Sequence, residues 1–378
     1  METLTAPQGK FQLARYPLRQ KETLRAWDAA DEYLLQQITD EGLLDSQPSL
    51  LILNDSFGAL CVALAEQRPQ LASDSYLAHQ GTLANLTNND LPSGQVQLLD
   101  SLQAPQGPLD LVLIKVPKTL ALLEDQLHRI RPLLHTDTRI IGAGMVKAIH
   151  SSSLKLFEEI IGPTHTSLAK KKARLIFSQL DKGLTPGDSP YPTSYNLEGT
   201  DYRIINHANV FSRESLDIGC RFLLQHLPKG TSARQIIDLG CGNGVLGLMA
   251  AAHNPDAELL FLDESYMAIA SARANFNAAF GTSHTAEFKV TDCLSGVDKN
   301  SADLILNNPP FHQQHAVGDS IAWQMFKESH KTLKTGGELW VVANRHLGYH
   351  IKLKKLFGNC DTVAGSKKFV VLRATKNQ

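Results

Sequence analysis

What this sequence has little of narrows the field first. Cysteine is scarce: five residues in a chain of 378, at 61, 220, 241, 293 and 360, with no C-x-x-C spacing. An odd, dispersed set excludes a disulfide framework and a cysteine zinc site, and reads as reduced thiols of a cytoplasmic protein. No apolar run approaches the length of a membrane span. The start "METLTAPQGKFQLARYPLRQKE" holds no apolar stretch of the secretory kind. Neither a membrane nor a metal partner is expected, and nothing implies an oligomeric one. Surplus charge is missing too, since 37 Lys and Arg stand against 38 Asp and Glu. Without a global basic field, a nucleic-acid partner must be met by local patches. What is present is ordinary: 43% apolar and 20% charged residues, the make-up of a globular protein with length for two domains.

Residues 181–199, "DKGLTPGDSPYPTSYNLEG", are rich in Gly, Pro, Ser and Asp and read as a linker. They separate residues 1–180 from 200–378. The second half alternates strand and helix signals: "RQIIDLG", "VLGLMAAAH", "AELLFLDE", "YMAIASARANFNAAF", "EFKVTD", "ADLILNN", then "SIAWQMFKESHKTLKTGG", "ELWVVANR" and "KFVVLRA". In the long helix Ile321, Met325, Ser329 and Leu333 share a face, and Gly336–Gly337 is its predicted end. Such alternation predicts a mostly parallel sheet with helices on both faces. The first half repeats the layout: "SLLILNDSFGALCVAL" matches "RQIIDLGCGNGVLGLM", and "LDLVLIKVPK" matches "ADLILNNPPF". The pairs Gly58/Gly244, Asp74/Asp263 and Asp110/Asp303 lie 186, 189 and 193 residues apart. That near-constant offset predicts a duplicated α/β domain. The first copy keeps one glycine where the second has four, and it has Lys115 and Val116 in place of Asn308 and Pro309.

"DLGCGNGVLG", Asp238 to Gly247, follows a predicted strand and opens a predicted helix, the setting that gives a glycine loop meaning. Glycine lets backbone approach a ligand closely, and the helix N-terminus offers free N–H groups. Asp263, at the end of the next strand, is placed to accept both hydroxyls of a ribose. Gly242-x-Gly244-x-x-Gly247 formally fits a dinucleotide fingerprint, so a nicotinamide cofactor stays open on this pattern alone. The more specific pattern is Asp238-x-Gly240-x-Gly242-x-Gly244. Cys241 and Asn243 lie within the loop, and Asp292 follows the third strand.

"NNPPF" closes the fourth strand, on the edge where ligands of open α/β sheets bind. Two prolines stiffen the loop. The side-chain oxygen of Asn308 and the main-chain oxygen of Pro309 form a pair of acceptors suited to an exocyclic –NH₂. Accepting both N–H bonds pulls that nitrogen toward sp³ and aims its lone pair at an electrophile. Carbonyl dipoles also stabilise the positive charge that grows on it. Phe311 supplies a face for a planar ring. His312, beside the loop, is not needed as a base, because an amine that has attacked an electrophile becomes acidic enough to shed its proton to water. The local basic runs are Lys170, Lys171 and Lys172, then Lys352, Lys354 and Lys355, then Lys367 and Lys368, the electrostatic footprints open to RNA.

The glycine pattern resembles the first motif of class I methyltransferases that use S-adenosylmethionine, and Asn-Pro-Pro-aromatic resembles their amino-methylating motif. Together with "HANVFSRESLDIG" and "VANRHL", the chain is similar to the ribosomal RNA guanine-N2 methyltransferases over nearly its whole length. That resemblance implies two tandem class I, Rossmann-like methyltransferase domains, of which only the C-terminal one is active. It implies S-adenosylmethionine held by Asp238, Gly240, Cys241, Gly242, Asn243, Gly244, Asp263, Asp292 and Asn308, with Phe211 closing over the methionine part. It further implies catalysis at Asn308, Pro309 and Phe311 on a guanine of 23S ribosomal RNA. Apart from the resemblance, Arg345 at the end of the fifth strand and the basic run Lys170, Lys171 and Lys172 are the side chains expected to meet the RNA. Two other readings remain, a protein-glutamine N-methyltransferase and an RNA-binding assembly factor without catalysis.

Overall fold

The computed structural model describes residues 1–19, 22–230, 232–310 and 315–377, with the backbone alone for 315–318. The chain divides into two compact units, Met1–Tyr191 and Pro192–Gln378. The first opens with a hairpin of β1 (Glu2–Ala6) and β2 (Gly9–Leu13), then helix α1 (Ala29–Asp40). Alternation begins with β3 (Leu50–Leu53), α2 (Ala59–Ala63), β4 (Gln70–Ser73), α3 (Tyr76–Asn88) and β5 (Gln97–Asp100). It continues with β6 (Leu109–Lys115), α4 (Leu120–Ile130), β7 (Leu134–Met145), α5 (Ser151–Ile160), β8 (Thr164–Thr166) and β9 (Ala173–Ser178).

The second unit follows the same plan. A hairpin of β10 (Thr193–Asn196) and β11 (Arg203–Asn206) precedes α6 (Ile218–Leu224). Then come β12 (Gln235–Leu239), α7 (Val245–His253), β13 (Glu258–Asp263), α8 (Tyr266–Phe280) and β14 (Ala286–Val290). The unit ends with β15 (Ala302–Asn307), α9 (His315–Thr332), β16 (Leu333–Asn344), α10 (Tyr349–Phe357), β17 (Asp361–Gly365) and β18 (Phe369–Thr375).

Each unit holds one seven-stranded sheet, in the orders β5-β4-β3-β6-β7-β9-β8 and β14-β13-β12-β15-β16-β18-β17. The first five strands of each are parallel, and the last two join antiparallel. The duplicated α/β architecture predicted from the repeat is the observed one. A sheet covered on both faces needs strands that are apolar on both sides. Thus Ile236, Phe261 and Leu306 enter one core cluster and Ile237, Leu262 and Ile305 the opposite one, all at most 3% exposed. Burial of each such side chain contributes about 1.5–3 kcal/mol.

One clasp recurs in both units. Asn85 of α3 donates to the carbonyls of Ala14 and Phe57 and accepts from Ala14 N–H. Asn275 of α8 donates to the carbonyls of Ile205 and Asn243 and accepts from Ile205 N–H. Each asparagine ties the incoming hairpin to the loop after the first sheet strand.

Two expectations need correction. Residues 181–199 are not linker throughout, because Thr193–Asn196 form β10, paired residue for residue with Arg203–Asn206. Pro and Gly density concealed a four-residue strand of β-favouring Thr and Tyr. The long helix ends at Thr332, not at Gly336–Gly337. Leu333 already pairs with Ala302 as the start of β16, and a Cβ on Gly337 would lie 2.9 Å from the Lys334 carbonyl oxygen. The glycines therefore serve an irregular strand start.

Candidate active site

In the C-terminal sheet the strand order reverses between β12 and β15, and open α/β sheets bind ligands at the carboxyl ends flanking such a switch. Here those ends carry the glycine loop, residues 240–244, and the Asn-Pro-Pro loop. The register sets Leu239 beside Asn307, so the two loops leave the sheet from neighbouring positions. Asn307, fully buried, strengthens the link: its Nδ2 donates to the Leu239 carbonyl at 2.8 Å. Sequence reasoning left Asn307 as a strand end.

The four loop glycines do different work. Gly244, with φ +79°, begins α7, and a Cβ there would lie 2.8 Å from Ala272 of α8. Gly247 lets Phe261 pack against α7, since a Cβ would come within 2.3 Å of its ring. Both are packing requirements. Gly242, with φ +54°, faces open space, and Gly240, with φ +68°, meets only Met325 Cε at 3.3 Å. These two adopt backbone that L side chains disfavour without needing the room, which points to a ligand running past them. Gly58 in the N-terminal unit has φ +79° and would place a Cβ 2.7 Å from Thr82 Cα. The glycine that the first copy retained is the packing one.

Asp238 is fully buried on β12. Its Oδ2 accepts from Gly247 N–H at 2.8 Å, while its Oδ1 has no partner among the described residues. Burial pushes its carboxyl up to about 8, against the pull of the Gly247 N–H and with Asp263 adding to the rise. Asp263 accepts from the N–H groups of Gly242 and Ser265, each at 3.0 Å, which sets its carboxylate against the glycine loop. Cys241 is a small buried residue of the loop, its thiol raised well above the usual value by burial. The Asn243 side chain turns to the hairpin, donating to Asn206 Oδ1 at 2.9 Å and to Tyr195 at 3.2 Å. Asp292 takes both its bonds from Gln324 Nε2, at 3.2 Å.

On the other loop Pro309 is buried and Pro310 exposed. Asn308 donates through Nδ2 to Asp217 Oδ2 at 3.3 Å, and its Oδ1 is buried with no partner among the described residues. Asp217 caps α6 by accepting from Cys220 N–H at 2.8 Å. The sequence signal for Asp217 was the helix-capping pattern of an Asp before an apolar run. Asn344 at the end of β16 also keeps its Oδ1 buried without a described partner. Phe311 and His312 lie outside the described residues. Phe211 is 52% exposed, Arg213 pairs with Glu214 at 3.4 Å, and Arg345 is exposed on a short 3₁₀ turn.

The corresponding edge of the N-terminal unit is chemically closed. Lys115, at the end of β6, pairs with Asp31 at 2.6 Å and Asp28 at 3.0 Å. Burial pulls its ammonium down, but the two carboxylates more than offset this and hold it above its usual value. Burial lifts Asp31 to about 6 against the attraction of Lys115. Asp55 accepts from the N–H groups of Ala59, Leu60 and Cys61, so it spends the N-terminus of α2 on itself. Asp74, the counterpart of Asp263, accepts from Ser101 Oγ at 2.6 Å and is 4% exposed. Of the predicted RNA contacts here, Lys170 lies over the Tyr33 ring at 4.6 Å and Lys171 pairs with Glu32 at 2.8 Å. Lys172 is exposed, with φ +63°.

The fold with its glycine loop defines a class I methyltransferase architecture. Residues 1–182 match the RLMG N-terminal domain, and residues 201–373 match the methyltransferase small domain. The chain is 52% identical to the ribosomal RNA large subunit methyltransferase G of Streptomyces griseus, with both chains covered completely. It is 51% identical to that of Pseudoalteromonas translucida, over 97% of this chain and 96% of the relative. The chain belongs to the ribosomal RNA large subunit methyltransferase G family. Its fold is shared over its whole length with the T. thermophilus 16S rRNA N2 methyltransferase RsmC, solved with AdoMet and guanosine, at a TM-score of 0.76, 22% identity and 98% coverage of that chain.

Proposed function

We propose that the C-terminal unit methylates the exocyclic N2 amine of a guanine in 23S ribosomal RNA, with S-adenosylmethionine as methyl donor. Asn308 carries the reading: it holds a buried carbonyl oxygen, unmatched among the described residues, at the switch point of a methyltransferase sheet. The donor fits the residues present. Asp238 would meet the ammonium with a buried carboxylate oxygen that has no partner among the described residues, Gly240 and Gly242 would give backbone clearance, and Asp263 would accept the ribose hydroxyls. Bound there, the donor supplies an electrophilic methyl on a sulfonium.

The chain's own residues do the rest. Asn308 Oδ1 accepts one N–H of the target amine, and the Pro309 carbonyl accepts the other. The amine nitrogen is thereby drawn out of conjugation with its ring. As methyl transfer builds positive charge on that nitrogen, the same two oxygens stabilise it. Pro309 and Pro310 restrict the loop, so little reorganisation is needed at the moment of transfer. Phe311 stacks the base once it has left its own stack. Asp292 sits beyond the third strand for the adenine, and Phe211 and Arg213 cover the methionine end. A cytoplasmic location belongs to this reading because its substrate is ribosomal RNA. Among the described residues no helix is long and apolar enough to cross a membrane.

The N-terminal unit, on this reading, holds no cofactor and contributes RNA affinity. Lys115, Asp55 and Ser101 support this, because each commits its polar atoms to a partner within the N-terminal unit. Exposed Lys172 and Arg345 are the side chains offered to phosphates. The test is nucleoside analysis of large-subunit RNA incubated with the protein and S-adenosylmethionine carrying an isotopic methyl label. Label in N2-methylguanosine supports the reading. Label in protein glutamine would favour the alternative that also uses an Asn-Pro-Pro-aromatic loop, and label in neither would favour a non-catalytic role.

A further inference from the structure

We infer that Asp217 is a positioning residue for the reaction: its carboxylate holds the Asn308 amide with nitrogen turned away and carbonyl oxygen presented to the target amine. This rests on the amine-clamp reading of Asn308. A carboxamide has nearly the same shape in its two flipped orientations, and only its partners distinguish them. Packing alone therefore does not settle which end of Asn308 faces the substrate. An ionised carboxylate accepts and does not donate. With Asp217 Oδ2 at 3.3 Å, the Nδ2 end is the one that turns to it, because the flipped amide would set two acceptors against each other. The opposite end, Oδ1, is then the buried atom without a described partner.

Asp217 is itself well held. The same Oδ2 accepts Cys220 N–H as the cap of α6. Behind it, Gly219 has no room to spare: a Cβ there would lie 3.0 Å from Asp217 Oδ2 and 3.2 Å from Phe369 Cε1. Rigid sheet packing at β18 thus fixes the cap, and the cap fixes the amide. There is an electronic consequence as well. A hydrogen bond from Nδ2 to a carboxylate is charge-assisted. It pushes electron density toward Oδ1 and strengthens that oxygen as an acceptor while the amine becomes cationic.

The test is steady-state kinetics of the full-length protein on protein-free 23S ribosomal RNA, with cofactor affinity measured separately. Asp217→Ser keeps a good helix cap, but its hydroxyl is too short to reach Asn308. It should lower kcat by about tenfold to a hundredfold, the effect typical of removing a residue that orients a reacting group. KM for RNA and cofactor Kd should move less than about twofold. Asp217→Asn keeps an oxygen of the same reach and should recover most of the orientation without the charge, giving an intermediate kcat. In an Asn308→Ala background, Asp217→Ser should cost nothing further, since the group it positions is gone. An unchanged kcat in Asp217→Ser, or the same loss with and without Asn308, would overturn the inference and leave the amine clamp standing. An Asn308→Ala enzyme of normal turnover would remove the clamp itself, and the inference with it.

Discussion

At the scale of single residues, the account depends on a few buried oxygens that have no partner among the described residues. Asn308→Ala should lower kcat by about 10²–10³-fold, as losing one preorganised transition-state partner does, while cofactor affinity in equilibrium titration barely moves. Phe311→Ala should cost about 1–3 kcal/mol, divided between KM and kcat, and Phe311→Tyr should behave as the parent. Asp263→Ala should weaken cofactor binding by about 1.5–3 kcal/mol, the worth of hydrogen bonds to a charged group. Asp238 gives a pH test. Its carboxyl stands at about 8 in the folded protein against an ordinary value near 4. Its protonation therefore contributes stability that is full below about pH 4 and is lost as pH rises through about 8. A bound ammonium reverses this by favouring the carboxylate. Cofactor binding at pH 7 should thus release a proton, seen as a dependence of the calorimetric heat on the buffer's ionisation enthalpy. The same heat in all buffers would show that Asp238 does not meet the cation.

At the scale of elements, alternating apolar runs made most of the sheet legible, because a strand buried on both faces leaves a continuous Val, Ile and Leu signature. β10 was hidden by the prolines before it. The end of α9 was displaced because Leu333 fits a helical face and a strand start equally well. The candidate site was legible where its residues lie within a single loop, as Gly240 and Gly242 do after β12 and Asn308 and Pro309 do after β15. It was not legible where it depends on contacts across the sequence, as Asp217 and Asn307 do, since nothing local marks residue 217 as the neighbour of 308. Across the repeat, crowded glycines such as Gly58 and Gly244 differ from Gly242, which faces open space. Gly58→Ala and Gly244→Ala should each destabilise their own unit, because a Cβ meets Thr82 or Ala272 below 3 Å. Gly242→Ala has space around it, so beyond the strain of its positive φ the loss should fall on cofactor affinity. Melting curves with and without S-adenosylmethionine distinguish the two classes.

At the scale of the whole molecule, one architecture is used twice, with opposite treatment of the ligand edge. In the N-terminal unit, a buried ion pair, a self-capped helix and a serine–carboxylate bond fill the edge. In the C-terminal unit, the same edge keeps open glycines and oxygens without a partner among the described residues. Lys115→Met should cost about 3–5 kcal/mol by leaving Asp31 buried without its cation, lowering the denaturation midpoint without creating a second cofactor site. The central claim is that the Asn-Pro-Pro loop of the C-terminal unit holds an exocyclic guanine amine during methyl transfer. The measurement that tests it most directly is mass spectrometry of nucleosides from 23S ribosomal RNA treated with the parent protein and with Asn308→Ala. The account predicts N2-methylguanosine from the parent and at least about a hundredfold slower appearance of the same nucleoside from the variant. Methyl groups on a ring carbon or a ribose oxygen, or an Asn308→Ala protein that forms N2-methylguanosine at the parent's rate, would contradict it.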